Sequence, residues 1–253
     1  MSGDSAMRNK IYFASDFHLG VPNYQKSRER EDRIVRWLDH IKQDAAELYL
    51  MGDVFDFWFE YRTAVPRGFV RFLGKLAELS DLGVHITFFK GNHDMWMFGY
   101  LKEEIGATII SDELIIERNG KRFFLHHGDG LGPGDRKYKF LKRFFRSNFC
   151  QWLFARIHPN LGIGIALRWS QHSRIANGKK EQRKVDEQEW LIVYTKEVLT
   201  HTYYDYLIFG HRHLPLDVKL SGGSRYINLG EWMNFNSYAV FDGETVHLME
   251  WEG

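Results

Sequence analysis

The stretch Ser15–Gly20, SDFHLG, decides the fold because it directly follows the short apolar run IYFA at 11–14. A short apolar run that ends in a glycine-containing turn predicts a buried strand followed by a loop. Asp16 and His18 stand two residues apart at the end of this strand. On its own, this pattern fits either a turn that Asp16 caps while His18 packs, or one half of a metal site. The choice depends on partners elsewhere in the chain.

The same arrangement recurs after four later apolar runs, LYLM (48–51), HITFF (85–89), KRFFL (121–125) and YLIF (206–209). The polar side chains in the turns that follow are Asp53 and Asp56 in GDVFD, Asn92, His93 and Asp94 in KGNHD, His126, His127 and Asp129 in HHGDG, and His211 and His213 in GHRH. In open α/β sheets, ligands bind outside the carboxyl ends of the strands. Five such turns therefore predict one shared site.

The segments between the first strands have helical periodicity. Ile34, Trp37, Leu38 and Ile41 predict a helix over 32–45, and apolar residues between 69 and 76 predict a second. This β-α-β-α-β order is typical of parallel strands joined by crossover helices. Farther along, Asn119-Gly120 between ELIIE and KRFFLH predicts a hairpin. Residues 191–198 predict another helix, and RYINLG, SYAVF and TVHLME predict strands near the end of the chain.

The ligand types in these turns indicate which metal they would hold. They are carboxylate, amide and imidazole groups without a thiolate, a set that suits Mn²⁺, Fe²⁺ or Zn²⁺. Seven such groups exceed what one ion needs, so two ions that share a carboxylate fit better. Two metals about 3.5–4 Å apart clamp the attacking and leaving oxygens in phosphoryl hydrolysis.

The composition is that of a soluble globular protein, with 253 residues, 44% hydrophobic residues and a net charge of +1. This length suits one substantial α/β domain with an inserted subdomain. The single cysteine, Cys150, excludes an internal disulfide and suits a reducing compartment. The first ten residues lack the apolar core of a signal peptide, and no apolar run approaches the length of a transmembrane helix. We therefore expect a cytoplasmic location.

The net charge hides a strongly basic segment. Residues 135–184 contain 13 Lys and Arg against 2 Asp and Glu, which leaves 21 against 31 in the rest of the chain. The same segment contains eight aromatic residues. One interpretation is an ordinary helical pair with a solvated basic face. The other is a separate unit that binds something anionic and partly apolar. We place this insertion at 135–187 and the core domain at 1–134 and 188–253.

In this order, D-x-H, GD-x-x-D, GNHD, H-G and G-H-x-H resemble the calcineurin-like metallophosphoesterase superfamily over nearly the whole chain. The resemblance implies an α/β fold, a four-layer αββα sandwich with an inserted helical cap. It implies one metal held by Asp16, His18, Asp53 and His213, and a second held by Asp53, Asn92, His127 and His211. It also implies that His93, paired with Asp56, stabilises charge on the phosphoryl group or protonates the leaving oxygen. His126 directly precedes the ligand position His127 and points the other way in a strand, so we assign it a structural role.

The motifs SDFHLG, GDVFDFW and HHGDGL more closely resemble UDP-2,3-diacylglucosamine hydrolases of lipid A biosynthesis. That resemblance implies hydrolysis of the substrate's pyrophosphate with Mn²⁺, to give UMP and 2,3-diacylglucosamine 1-phosphate. It also implies a cap that holds acyl chains and peripheral contact with the cytoplasmic face of the inner membrane. The positions that resemble substrate contacts are Asn92, His93, Asp135, Tyr138, Lys179 and Lys180. We expect Phe140, Phe144, Phe145, Trp152 and Phe154 to line the acyl cavity, with LGIGIAL (161–167) as further apolar wall.

One position differs from the pattern of the UDP-2,3-diacylglucosamine hydrolases. Because of this difference, other substrates stay possible. Well-characterised members have arginine in GNRD, where this chain has His93, the choice of the wider superfamily. The alternative is a phosphodiesterase or phosphatase for another nucleotide or phospholipid-type substrate. A polynucleotide phosphodiesterase would use the basic insertion to bind the nucleic-acid backbone and the aromatic side chains to stack on bases. Here the aromatic residues occur among aliphatic residues at helical spacing, which is typical of a cap core or an acyl pocket. We therefore expect no nucleic-acid partner. A non-catalytic scaffold would have lost ligands, so we also expect no obligate protein partner.

Overall fold

The computed structural model describes residues 8–132, 136–181 and 189–253, with the backbone alone at 137 and 171–181. In chain order the elements are β1 (Lys10–Ala14), α1 (Tyr24–Ile41), β2 (Ala45–Leu50), α2 (Val70–Asp81), β3 (His85–Phe89), α3 (Tyr100–Ile105), β4 (Thr108–Ile110), β5 (Leu114–Arg118), β6 (Lys121–His126), α4 (Arg136–Phe145), α5 (Asn148–Phe154), α6 (Pro159–Glu181), α7 (Trp190–His201), β7 (Tyr206–Phe209), β8 (Pro215–Lys219), β9 (Arg225–Leu229), β10 (Ser237–Phe241) and β11 (Val246–Glu250). None of the helices within these ranges is long and apolar enough to cross a membrane.

The strands form two sheets within the described residues, ordered β11-β10-β1-β2-β3-β4 and β5-β6-β7-β9-β8. Strands β1 to β4 run parallel to one another, and β6, β7 and β9 run parallel in the second sheet. The predicted parallel β-α-β-α-β order and the β5–β6 hairpin are confirmed. Asn119 and Gly120 both have positive φ, as a two-residue type I′ turn requires.

Three apolar clusters separate four layers. Trp37 and Phe72 pack α1 and α2 on the outer face of the first sheet. Phe13 and Phe123 belong to the cluster between the two sheets. Leu191 packs α7 on the outer face of the second sheet. In β1, successive side chains point to opposite faces, so the apolar residues 11–14 serve two of these clusters at once. The predicted αββα sandwich is confirmed.

Several predicted boundaries were wrong. Helix α1 begins at Tyr24 rather than Asp32, because the Asn23 side chain accepts a hydrogen bond from the Lys26 N–H and caps it. Its first turns are polar and give no apolar periodicity. It ends at Ile41, and Ala45 already belongs to β2. Elements α3, β4 and β8 were not predicted; β4 has three residues and β8 lies at a sheet edge.

Helices α4, α5 and α6, hereafter the cap, lie between β6 and α7 in the chain and are helical as expected. Their anchor on the core is a cluster in which Phe57, Phe59 and Trp96 pack with Phe145 and Phe154. The proposed boundaries near 134–135 and 187–188 lie outside the described residues and stay a prediction.

Candidate metal centre

The turns after β1, β2, β3, β6 and β7 meet at one end of the sandwich. Unusual backbone geometry marks them, because a positive φ is uncommon for residues other than glycine and costs about 1–3 kcal/mol. Five of the predicted ligands nevertheless adopt it: Asp16, His18, Asp53, His211 and His213. Such strain persists only where the surrounding structure imposes it, and it clusters at functional sites.

One group of candidate ligands contains Asp16, His18, Asp53 and His213. Asp16 Oδ1 lies 3.1 Å from His213 Nε2 and 3.7 Å from His18 Nε2. The two imidazole nitrogens are 3.1 Å apart, and His18 Nε2 is 3.9 Å from Asp53 Oδ2. Asp16, His18 and Asp53 are buried. Their ligand atoms therefore face a common point away from bulk water.

A second group contains Asp53, His127 and His211, so Asp53 belongs to both. His127 Nε2 lies 3.4 Å from Asp53 Oδ2 and 3.3 Å from Asn92 Oδ1. His127 Nδ1 donates to the carbonyl oxygen of Met51 at 2.7 Å. This bond orients the ring, and in the neutral imidazole it leaves the Nε2 lone pair facing the two oxygens, as in metal-bound histidines.

Both groups fit divalent cations. Metal–ligand bonds of about 2.1 Å place adjacent octahedral ligands about 3.0 Å apart, and the separations observed run from 3.1 to 3.9 Å. In the second group, His127 Nε2, the Asn92 amide oxygen and the Asp53 carboxylate face one another. A divalent cation would take the place of the proton between them. The structure thus brings together all seven predicted ligands, and Asp53 occupies the shared position.

Charge at the centre favours ionised carboxylates. Burial alone would raise the pKa of Asp53, but the imidazoles of His127 and His93 outweigh burial and hold this pKa well below its usual range. Burial lowers the pKa of His211 to about 4, so this imidazole is neutral at pH 7. Burial would lower the pKa of His127, but the Asp53 carboxylate outweighs burial and raises this pKa to about 10, so a metal bound there would displace a proton.

Asp94 fixes the loops that carry these ligands, a role that no sequence pattern predicted. Its buried carboxylate accepts hydrogen bonds from the backbone N–H groups of Asp53, Val54, Phe55 and Gly91 at 2.8–3.2 Å. The turns after β2 and β3 are therefore tied to one side chain. The only sequence signal was its place as the last residue of GNHD.

Two glycines allow the turns to interlock. A Cβ on Gly91 would lie 2.1 Å from Asp53 Oδ1 and 2.4 Å from Asp53 N. A Cβ on Gly210 would lie 2.1 Å from Ser15 Oγ and 2.6 Å from Asp16 Oδ2. These contacts are far shorter than van der Waals distance. Glycine in GNHD and GHRH is therefore required by the close approach of neighbouring ligand loops.

A third group, His18, Asp56 and His93, borders the first. His93 Nδ1 lies 3.6 Å from Asp56 Oδ1, so the predicted pair is adjacent. Asp56 Oδ1 also lies 3.4 Å from His18 Nδ1, the ring nitrogen opposite the one that faces the centre. A carboxylate in this position orients a metal-binding imidazole. Asp56 thus serves both the candidate ligand His18 and His93.

His126 has the structural environment expected for it. The side chain is buried, and its Nδ1 accepts a hydrogen bond from Gly128 N–H at 2.7 Å. Burial lowers its pKa to about 3, which keeps the ring neutral. His126 therefore takes no part in the ligand groups.

The proposed substrate contacts of the cap have a mixed outcome. Tyr138 donates a 2.7 Å hydrogen bond to Asp129 Oδ2, and Lys142 Nζ lies 2.8 Å from the same oxygen. Asp129 thereby ties α4 to the turn after β6. Asp135 lies outside the described residues. Lys179 and Lys180 lie on α6, where the backbone alone is described.

A cavity of about 830 Å³ lies between the core and α6. Its lining includes Leu19, Gly20, Tyr24, Arg28, Glu31, Phe57, Arg67, Phe69, Val70, Arg71, Asn160, Ile163 and Leu167. The LGIGIAL segment therefore forms part of an apolar wall, as expected. The five aromatics expected there do not line this cavity. Phe145 and Phe154 instead pack against the core, and Phe140, Phe144 and Trp152 are exposed, because adjacent positions of a helix cannot all face one space.

Comparisons with known proteins agree with this geometry. The profile described as "Calcineurin-like phosphoesterase" matches residues 9–215. A UDP-2,3-diacylglucosamine hydrolase of Porphyromonas gingivalis is 44% identical over 97% of this chain and 99% of its own length. The proteins of that name from Aeromonas hydrophila and Edwardsiella ictaluri are 31% and 30% identical, over 90% and 94% of this chain and 92% and 90% of their own. The chain belongs to the calcineurin-like phosphoesterase family.

Proposed function

We propose that this protein hydrolyses the pyrophosphate of UDP-2,3-diacylglucosamine to UMP and 2,3-diacylglucosamine 1-phosphate. The observation that carries the proposal is the pair of ligand groups that share Asp53, next to a large cavity with apolar walls. The ligand groups suit hydrolysis of a phosphoanhydride, and the apolar cavity suits a substrate with acyl chains. The similarity to hydrolases of that name supports the same substrate.

Two divalent ions fit the site. Asp16, His18, Asp53 and His213 would hold one of them. Asp53, Asn92, His127 and His211 would hold the other. We infer Mn²⁺ for both, with Fe²⁺ and Zn²⁺ as alternatives that the same ligand types accept. When bound, such a pair supplies Lewis-acid polarisation of the phosphoryl group and a nucleophile derived from water at neutral pH.

The residues of the chain supply the remaining steps. Asn92 and His93 lie in one turn beside the ligand groups, where a phosphoryl oxygen would enter. His93 would stabilise charge on the phosphoryl group or protonate the leaving oxygen. The Asp56 carboxylate lies 3.6 Å from the ring, and the backbone oxygen of Asp56 lies 3.1 Å from His93 Nδ1. General acid catalysis of this kind contributes about 10²–10⁴ in rate.

The cavity offers a place for one acyl chain. Leu19 and Gly20 in its wall directly follow His18, so the apolar space begins next to the ligand groups. Ile163 and Leu167 of α6 form the opposite wall. Arg28, Arg67 and Arg71 also line it, and guanidinium groups suit a phosphate or a sugar hydroxyl. Asp135, Tyr138, Lys179 and Lys180 stay proposed contacts of the headgroup.

The cap also has the surface expected of a peripheral membrane contact. Its exposed apolar side chains include Phe140, Phe149, Trp152, Leu161 and Trp169. They lie in the most basic segment of the chain, so apolar insertion and attraction to anionic lipids would act together. Sedimentation with vesicles tests this contact. We expect binding to vesicles that contain phosphatidylglycerol and loss of binding in Phe149→Ser/Trp152→Ser; equal binding of the double variant contradicts it.

The deciding experiment measures UMP release from UDP-2,3-diacylglucosamine with added Mn²⁺, beside UDP-glucose and bis-p-nitrophenyl phosphate. Fast release from the diacylated substrate, with little from UDP-glucose, is the expected result. Turnover of bis-p-nitrophenyl phosphate alone would support the proposed metal-dependent hydrolysis and contradict the proposed lipid substrate. His93 would then mark a branch of the family that acts on another nucleotide or phospholipid-type substrate.

A further inference from the structure

Ser170 of α6 reaches the His93–Asp56 pair from the cap. It is 6% exposed. Its hydroxyl donates a hydrogen bond to Asp56 Oδ2 at 2.7 Å, and Ser170 Oγ lies 3.2 Å from His93 Nδ1. No sequence motif assigns a role to this residue.

The chemistry of the three groups fixes the direction of the two bonds. An ionised carboxylate only accepts, so the single hydroxyl hydrogen of Ser170 points to Asp56. The oxygen lone pairs of Ser170 then face His93, and they favour the ring form with its hydrogen on Nδ1. The backbone oxygen of Asp56 lies 3.1 Å from the same nitrogen and favours the same form. With a hydrogen held on Nδ1, the proton that a general acid delivers must come from Nε2 of the doubly protonated ring.

A purely structural explanation fits less well. A buried serine inside a helix usually returns its hydrogen bond to a carbonyl of its own helix. Ser170 instead crosses from the cap to a carboxylate of the core. The apolar residues Ile163 and Leu167 of the same helix already pack against the core, so attachment of α6 does not depend on this serine.

We propose that Ser170 is a positioning residue that fixes the ring form and orientation of His93 and links the cap to catalysis. This inference rests on the proposed role of His93. Ser170 can contact the pair only where α6 lies against the core, as it does here.

The test is a double-mutant cycle on bis-p-nitrophenyl phosphate and on UDP-2,3-diacylglucosamine. We expect Ser170→Ala and Ser170→Cys to lower kcat about 10- to 100-fold, the range for a lost hydrogen bond to a charged group. KM and metal content should stay unchanged. Ser170→Thr keeps the hydroxyl and should retain most of kcat. In the His93→Ala background, Ser170→Ala should change kcat less than about twofold, because Ser170 acts through His93.

Ser147→Ala is the matched control, since Ser147 is another cap serine whose hydroxyl caps α5 and does not contact the pair. It should leave kcat unchanged. Equal loss from Ser170→Ala with and without His93, or a change in KM alone, would overturn the inference. If the wild type hydrolyses bis-p-nitrophenyl phosphate but not the diacylated nucleotide, the proposed substrate fails while the cycle still reports on Ser170. If His93→Ala itself leaves kcat intact, the proposed role of His93 fails instead.

Discussion

The loops that carry the candidate ligands bury their side chains, whereas the cap leaves large apolar side chains exposed. Asp16 and His18 are 0% exposed, whereas Phe140 and Phe149 of the cap are 74% and 67% exposed. The loops are fixed by strained backbone, by the hydrogen bonds of Asp94 and by close approach at glycine. The cap is fixed by one apolar cluster and a few polar contacts. The core thus has preorganised groups for chemistry, while the cap offers surfaces for specificity.

The largest effect should follow from Asp53→Ala, because this carboxylate belongs to both ligand groups. We expect loss of detectable turnover on every substrate together with loss of both ions, measured by metal analysis of the purified protein. Asp205→Ala is the matched control. Asp205 accepts a hydrogen bond from Arg122 N–H before β7, at the opposite end of that strand from His211. Retained activity in Asp53→Ala would contradict a shared carboxylate.

His93→Ala should separate catalysis from metal binding within the core loops. His93 borders the ligand groups through Asp56 and His18 but would hold no ion itself. We expect a loss of about 10²–10⁴ in kcat with metal content unchanged. Asn92→Ala, one residue earlier, should instead weaken one of the two ions. Loss of both ions from His93→Ala would place this histidine among the ligands.

The difference between the ligand loops and the cap also explains which features could be predicted from the sequence. Ligands of the core are encoded locally, since an apolar run, a glycine and a polar residue occur together after each of five strands. GNHD and GHRH therefore indicate the centre from sequence alone. Ser170 lacks such a pattern, and Asp129, although part of HHGDG, pairs with Tyr138 and Lys142 of the cap, so both roles depend on how the cap docks. The acyl wall was misplaced for the same reason: aromatic content does not reveal which side of a helix faces the core.

Substitution of glycine tests how closely the ligand loops pack against each other, and we expect a smaller effect than for the two variants above. Gly210→Ala would place a Cβ within 2.1 Å of Ser15 Oγ, so we expect a loss of about 1–3 kcal/mol in the free energy of unfolding and weaker metal binding. Gly74→Ala is the control, because a Cβ there meets nothing within 4 Å and Gly74 lies inside α2. It should stabilise by about 0.5–1 kcal/mol. Urea unfolding measures both; equal effects would refute the interlocked loops.

The smallest effect concerns the polar attachment of the cap. Arg146 of the segment between α4 and α5 bonds to Asp112 Oδ1 and to the Ser111 carbonyl oxygen, both at 2.5 Å. Burial raises the pKa of Asp112, but the bond from Arg146 outweighs it, so the pKa lies below its ordinary value. The pair therefore stabilises the folded state above the unfolded pKa of about 3.9 and loses this contribution as the pH falls through the lower folded pKa.

Asp112→Asn should accordingly lower the free energy of unfolding by less than about 1 kcal/mol near neutral pH, because Asp112 is 67% exposed and such pairs are screened by water and salt. The difference from wild type should shrink as the pH falls through the lowered folded pKa of Asp112 and as salt is added. Urea midpoints across this range measure it. Glu104→Gln removes an exposed carboxylate of α3 without an ion pair among the described residues, and it should show no such trend. A large, pH-independent loss in Asp112→Asn would mean that the cap depends on polar contacts rather than on its apolar cluster.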